Sequence, residues 1–146
     1  MGEVKHRAVV KAPREKVFAY IDDYRNVPDY MFGLSRFAPT TDVDHGVGAI
    51  FEVVIKVGPK ELKSTVKCVE WVENERIRLE SISGLGADTE WTFTDGDAPG
   101  MTVLDAVFGY TLPGGIAGRV LGGLMGPFVE QGVKYTDGKV RDACED

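Results

Sequence analysis

The stretch from about residue 113 to residue 143 constrains the fold more than any other part of the chain. On a helical wheel of about 100° per residue, its first half has one apolar face and one glycine face. The apolar arc contains Ile116, Ala117, Val120, Leu121, Leu124 and Phe128, and the opposite face contains Gly115, Gly118, Gly122 and Gly126. A helix with these two faces is more typical of one that covers a hollow sheet than of one packed on all sides in a helix bundle.

The second half of this stretch has a different apolar stripe, formed by Val129, Val133, Thr136 and Val140. Because proline removes a helical hydrogen bond, we expect a kink or a restart near Pro127. Each interior glycine costs about 0.5–1 kcal/mol relative to alanine, so the first half is a weak helix by itself. Three interpretations of its glycine face stay open: close packing, mobility that admits a ligand, and contact with a membrane or protein partner.

Seven strands precede this helix according to the alternation of apolar and polar residues. The first spans about residues 3–11, and the others span about 35–41, 48–57, 61–72, 76–82, 87–95 and 101–110. The alternation slips after Cys68, which predicts a β-bulge that bends the strand. Each strand has one apolar face, so we expect an antiparallel sheet that curls its apolar side around another part of the structure.

Two short helices are expected between the first two strands. The first begins at Ala12-Pro13, with Pro13 at the first helical position, where no N–H is required. Asn26 is the expected cap of the second, and Asp29 lies near its positive end. The chain is therefore predicted to be a single α+β domain over residues 1–146.

Composition excludes several classes of function. The formal net charge of −6 and the pI near 5.0 argue against a nucleic-acid partner, since phosphate contacts need clustered cations. The segment 110–129 has about the length of a membrane span, but Arg119, Pro113, Pro127 and its glycines oppose one. Charged residues near the N-terminus, where a leader would be apolar, and two cysteines without a framework predict a cytoplasmic protein.

No catalytic or cofactor motif stands out. His6, His45, Cys68 and Cys144 are scattered without metal-ligand spacing, so no metal is predicted. The glycines near residues 84–86 lack the third glycine of a dinucleotide site, and Leu124 replaces the lysine of a phosphate-binding loop. We therefore expect no cofactor.

Three motifs resemble one superfamily. They are the run from Ala12 to Asp23, the strand end and helix start from Tyr110 to Arg119, and Cys68-Val69-Glu70-Trp71 leading into residues 76–80. Together they resemble the START-like, helix-grip superfamily, also called SRPBCC, which includes bacterial polyketide cyclase/dehydrase-like and coenzyme-Q-binding-like proteins. The resemblance covers essentially the whole chain. It implies a curved seven-stranded sheet wrapped around the long C-terminal helix, with an apolar cavity between them.

The resemblance also implies ligands such as lipids, polyketides, hormones and quinones. Carried onto this sequence, the cavity would be lined on the sheet side by Phe51, Val53, Ile55, Trp91 and Phe93. On the helix side it would be lined by Tyr110, Ile116, Val120, Leu124 and Phe128, and Tyr30 and Phe32 would gate its mouth. Binding or transport of a hydrophobic small molecule is the favoured hypothesis.

Two other hypotheses stay open. A cyclase or dehydratase would need an acid or base facing the cavity, and the weak candidates are His6 and Asp105, with Tyr110, Tyr30 and Arg119 as donors. An interaction module would instead dock the glycine face of the closing helix on a protein or on a membrane.

Overall fold

Seven antiparallel strands form one sheet in the order β1-β7-β6-β5-β4-β3-β2. The computed structural model describes residues 2–111 and 115–145, with side chains apart from those of residues 2, 115–126 and 129. The strands are β1 (Gly2–Val10), β2 (Leu34–Pro39), β3 (Ile50–Val57), β4 (Lys60–Val72), β5 (Arg76–Gly84), β6 (Gly86–Asp95) and β7 (Thr102–Thr111). The predicted strands are therefore confirmed, with ends that differ by at most two residues.

The helices occur at two points along the chain. Helix α1 (Arg14–Asp22), a 3₁₀ turn (Tyr24–Asn26) and the short helix α2 (Val27–Tyr30) follow β1, and α3 (Gly115–Cys144) follows β7. The curved sheet, the C-terminal helix and the short helices after the first strand make the predicted helix-grip α+β fold.

The curvature of the sheet has a local cause in β4. Its register against β5 shifts between Cys68 and Glu70, where the sequence predicts a bulge, and again between Thr65 and Val66, where the extra residue is Ile82 of β5. An extra residue in one strand bends that strand and increases its twist. Val69, the residue inside the first shift, is 39% exposed, while Cys68 beside it is buried. The bulge at this position is confirmed.

The start of the helical segment differs from the prediction in two details. Pro13 occupies the N-cap of α1 and not its first helical position. Asn26 precedes α2 but does not cap it with its side chain, and its Nδ2 donates to the carbonyl of Tyr20 at 3.1 Å. Capping falls instead to Asp23, whose carboxylate accepts from the backbone N–H of Arg25 at 3.0 Å at the start of the 3₁₀ turn.

Helix α3 runs through Pro127 without a restart, so of the two expected outcomes only a kink stays a prediction. The residues beyond the proline keep burying one face: Thr136, Val140 and Cys144 are all buried. Polar contacts add to this packing, since Thr136 Oγ1 donates to the carbonyl of Tyr30 at 2.6 Å. Tertiary packing of a helical face outweighs one missing hydrogen bond.

The sheet opens locally between β5 and β6. Their ladder ends at Leu79 opposite Thr89, although β5 continues to Gly84 and β6 begins at Gly86. Beyond that point the carboxylate of Asp88 bridges the strands by accepting from the N–H of Ser81 at 2.9 Å and from its hydroxyl at 3.2 Å. The hairpin tip between them therefore diverges from the regular sheet and turns Leu85 inward, where it is buried.

Candidate ligand-binding site

A cavity of about 110 Å³ lies between the concave face of the sheet and α3. Strands β6 and β7, the β5–β6 tip, the α2–β2 connection and the middle of α3 contribute its walls. Its lining residues are Met31, Phe32, Ile55, Leu85, Ala87, Asp88, Thr89, Phe108, Gly109, Tyr110, Phe128, Gly132, Val133 and Thr136. We call this space the first cavity. Its wall is overwhelmingly apolar, as binding sites for hydrophobic ligands are.

Four of the residues predicted to line a cavity lie in this wall: Phe32, Ile55, Tyr110 and Phe128. The rings of Phe32 and Phe128 contact each other with centroids 5.4 Å apart, and Phe32 also contacts Tyr135 at 5.6 Å. The side chains of Ile116, Val120, Leu124 and Arg119 lie outside the described residues. The glycine face of the helix lies there as well, so contact of that face with a membrane or a protein stays a prediction.

A second cavity of about 60 Å³ adjoins the first along the sheet. The two share Met31, Ile55, Ala87 and Thr89 as wall residues. The predicted residues Tyr30, Val53 and Trp91 line this second cavity, with further walls from Val27, Leu34, Phe37, Val66 and Leu79.

A third cavity of about 40 Å³ continues the series toward the end of α1. It shares Val27, Tyr30, Phe37, Leu79 and Trp91 with the second. The predicted residue Phe51 lines it, and so do the carboxylate of Asp22 and the imidazole of His45.

Tyr30 does not gate an opening, contrary to its predicted place. Its side chain is buried with 3% exposure, and its hydroxyl donates to the carbonyl of Ile21 at 2.8 Å. Burial raises the pKa of this phenol above its ordinary value, and its ring packs edge-on against Trp91 at 5.8 Å. A buried phenol needs a hydrogen-bond partner, and the end of α1 provides one.

Phe93 also lies elsewhere than predicted. It is 1% exposed and packs against the ring of Phe18 in α1, with centroids 5.1 Å apart. It is absent from the walls of the three cavities. Helix α1 covers this end of the sheet, so the residue is part of the packed core.

The candidate catalytic residues His6 and Asp105 are engaged away from the cavities. His6 Nε2 lies 3.3 Å from the Asp137 carboxylate of α3. Asp105 accepts from Arg7 Nε at 2.7 Å, in an exposed pair between β1 and β7. Of the ionisable candidates, Tyr110 lines the first cavity and Tyr30 lines the second and third.

Several wall residues were not foreseen from the sequence. Leu85 sits in a turn, Gly132 and Thr136 are small or polar, and Ala87 and Phe108 lie at strand positions that the cavity prediction left out. The spacing of Phe128, Gly132 and Thr136 at four-residue intervals puts them on one face of a helix and is the signal that could have found them.

The described residues show neither a metal site nor a membrane span. Within them, no three histidine, cysteine, aspartate or glutamate side chains are grouped as metal ligands would be. In the same ranges, no helix combines the length and the apolar character that crossing a bilayer requires.

Sequence comparison assigns the family. The model of the family described as polyketide cyclase / dehydrase and lipid transport matches residues 1–145. The chain belongs to this family. No curated protein matches the sequence.

Solved structures show the same fold. The protein TTHA0849 of Thermus thermophilus has a TM-score of 0.79 at 19% identity, covering 97% of this chain and 96% of that one. A START superfamily protein of Mycobacterium smegmatis gives 0.73 at 14% identity, covering 96% and 97%. The Zhui aromatase/cyclase of Streptomyces sp. R1128 gives 0.77 at 13% identity, covering 97% and 93%. At these identities the likeness concerns the START-like fold alone.

Proposed function

We propose that this family member binds or transports a hydrophobic small molecule of the lipid, quinone or polyketide type between its sheet and α3. The observation that carries the proposal is the apolar wall of the first cavity, formed by side chains such as Met31, Phe108 and Phe128. Each methylene group that leaves water for such a wall contributes about 0.8 kcal/mol. A ligand with several methylenes or a ring is therefore held mainly by burial. The cytoplasmic location stays a prediction.

Binding explains the polar groups of the first cavity better than turnover does. The described ionisable side chains in its wall are Asp88 and Tyr110. The Asp88 carboxylate already accepts two hydrogen bonds from Ser81 across the β5–β6 opening. Thr136 is likewise engaged, because its hydroxyl donates to Tyr30. A cyclase or dehydratase needs an acid or base at the reacting atoms, and Tyr110, whose hydroxyl makes no hydrogen bond among the described residues, is the candidate acid in this wall. Because the Asp88 carboxylate is already engaged by Ser81, we rank that alternative second.

Two glycines of α3 allow a matched test. Gly132 lines the first cavity, and a Cβ at this position would lie 3.6 Å from the Cβ of Phe32, in ordinary contact. Gly138 lies on the same helix, is exposed, and a Cβ there meets no atom within 4 Å. The substitution Gly132→Leu therefore places a branched side chain in the cavity, whereas Gly138→Leu makes the same chemical change outside it.

We expect the uncharged dye N-phenyl-1-naphthylamine to bind the wild-type protein with enhanced fluorescence. Gly132→Leu should weaken its affinity at least tenfold, and Gly138→Leu should leave the affinity unchanged within about twofold. Native mass spectrometry of gently purified protein should show a bound species that Gly132→Leu loses. Equal dye affinity for the wild type and both variants, with no bound mass, would overturn the proposal.

A further inference from the structure

The third cavity ends at a carboxylate that the proposed function does not use. Asp22 is the last residue of α1, and its Oδ1 accepts from Trp71 Nε1 at 2.9 Å. Its second oxygen, Oδ2, makes no hydrogen bond within the described part of the chain. Burial raises the pKa of this carboxyl group, against the opposing effects of Trp71 and His45. Asp22 is therefore a partly buried hydrogen-bond acceptor whose Oδ2 has no hydrogen-bond partner among the described residues.

His45 faces the same cavity from the connection between β2 and β3. Its ring lies edge-on to Trp71 with centroids 6.1 Å apart, and its Nδ1 lies 2.9 Å from the Asp44 carboxylate. The Asp44 contact raises the pKa of the imidazole. Its other ring nitrogen, Nε2, has no hydrogen-bond partner among the described residues.

The three cavities form a series along the concave face of the sheet. Each consecutive pair shares wall residues: Ile55 and Thr89 join the first two, and Tyr30 and Trp91 join the last two. The volumes fall from about 110 Å³ to about 60 Å³ and then to about 40 Å³. Neighbouring cavities meet at the shared side chains, and a ligand that displaces them would follow a narrowing apolar path, which admits a straight chain of methylenes further than a fused ring system.

We propose that Asp22 and His45 form a polar subsite that binds the hydrogen-bond donor at the leading end of a linear-chain ligand. The open oxygen of Asp22 accepts from a hydroxyl or ammonium group, while the chain occupies the second and first cavities. A ligand that ends in a carboxylate is disfavoured because it would meet the Asp22 carboxylate directly, and the imidazole of His45 is already paired with Asp44. The inference rests on the proposed function and specifies its ligand class.

The test compares three ligands of one chain length: decan-1-ol, decylamine and decanoate. Each displaces N-phenyl-1-naphthylamine from the wild-type protein, and we expect the alcohol and the amine to do so at concentrations at least tenfold lower than decanoate. Comparison of decan-1-ol with decylamine shows whether the subsite prefers a hydroxyl or an ammonium group. Asp22→Asn should reduce the discrimination against decanoate to within about threefold.

The neighbouring residue supplies the control. Asp23 also carries a carboxylate, but that group pairs with Arg25 at 2.7 Å and does not line the third cavity. Asp23→Asn removes the same charge one residue away and should keep the tenfold discrimination. Equal discrimination in the wild type and Asp22→Asn would overturn the subsite.

A measurement on Trp71 keeps the inference testable without any change at Asp22. The chain has two tryptophans, Trp71 and Trp91, so two indole N–H resonances are expected and Trp71→Phe assigns them. Decan-1-ol should shift both resonances, because its hydroxyl reaches the acceptor of the Trp71 N–H, whereas decane should shift that of Trp91 alone. A Trp71 resonance unmoved by saturating decan-1-ol would overturn the subsite.

The two proposals fail in different ways. If no ligand displaces the dye, and Gly132→Leu binds the dye as the wild type does, the hydrophobic-ligand function itself is wrong. If all three ligands displace the dye equally from the wild type, and Gly132→Leu abolishes that displacement, the function stands and the polar subsite is wrong.

Discussion

Two consecutive carboxylates at the end of α1 occupy opposite electrostatic environments. Burial raises the pKa of Asp22, whereas the hydrogen bond from the Arg25 side chain lowers the pKa of Asp23. A carboxyl group with a raised folded-state pKa stabilises the fold below its unfolded-state pKa and loses that contribution as the pH rises through the folded-state value. A lowered pKa stabilises the fold above the unfolded-state pKa, and this is lost as the pH falls through the folded-state value.

The two asparagine variants should therefore change stability with opposite signs. At about pH 7 we expect Asp22→Asn to raise the free energy of unfolding, since it removes a desolvated charge while its amide oxygen still accepts from Trp71. Asp23→Asn should lower the free energy of unfolding by weakening the pair with Arg25. Both differences should shrink toward about pH 3, where the carboxyl groups become protonated. Urea unfolding at the two pH values measures this, and the same sign for both variants at neutral pH would contradict it.

Single residues also show why parts of the site escaped prediction. Tyr30 lies in an apolar run, so the sequence places it near a cavity, but it does not reveal that the carbonyl of Ile21 holds its hydroxyl. Phe93 alternates inward as predicted, yet alternation does not distinguish a wall of a cavity from the packed core under α1. That distinction depends on which helix covers which end of the sheet. The grouping of Asp22 with His45 likewise comes from tertiary structure.

At the scale of secondary structure, the strands and the β4 bulge follow from the sequence because a sheet with one buried face enforces alternation. The opening between β5 and β6 could not be predicted from the sequence, since it depends on the contact of the Asp88 carboxylate with Ser81. The continuity of α3 through Pro127 could not be predicted either, because it depends on how the residues after the proline pack against the rest of the fold.

Gly84 permits a close approach at the β5–β6 tip, and another glycine gives a control. Gly84 and Gly100 both have a φ of +77°, which L side chains rarely adopt. A Cβ at Gly84 would fall on the carbonyl oxygen of Lys63, while a Cβ at Gly100 meets no atom within 4 Å. Gly100→Ala should therefore lower the free energy of unfolding by only about 1–2 kcal/mol, the cost of placing an L side chain at a positive φ. Gly84→Ala should lower the free energy of unfolding by more, on the order of 3 kcal/mol, because β5 must also move away from the Lys63 carbonyl of β4.

Urea unfolding of both variants measures the difference. Gly84→Ala should also weaken dye binding, because Leu85 follows directly, lines the first cavity and is held by its N–H bond to Lys63 at 2.9 Å. Gly100→Ala should leave dye binding unchanged. Equal costs for the two substitutions would show that the contact at Lys63 relaxes freely.

For the whole molecule, ligand binding is linked to the free energy of unfolding. A ligand in the three cavities packs against the atoms that line them. A ligand that binds only the folded state raises the free energy of unfolding by about 2.7 kcal/mol at 100 times its dissociation constant. Thermal stability should therefore report occupancy of the cavity.

We expect N-phenyl-1-naphthylamine at about 100 times its dissociation constant to raise the melting temperature of the wild type and Gly138→Leu by several degrees. The same dye concentration should leave Gly132→Leu unchanged, because its leucine occupies the first cavity. Without dye, Gly132→Leu should melt above Gly138→Leu: both lose the cost of a helical glycine, about 0.5–1 kcal/mol, but only the first also buries apolar surface. Scanning calorimetry with and without dye measures both differences. A dye-free Gly132→Leu that melts below Gly138→Leu would show that α3 already packs against the sheet at residue 132 without room for a side chain.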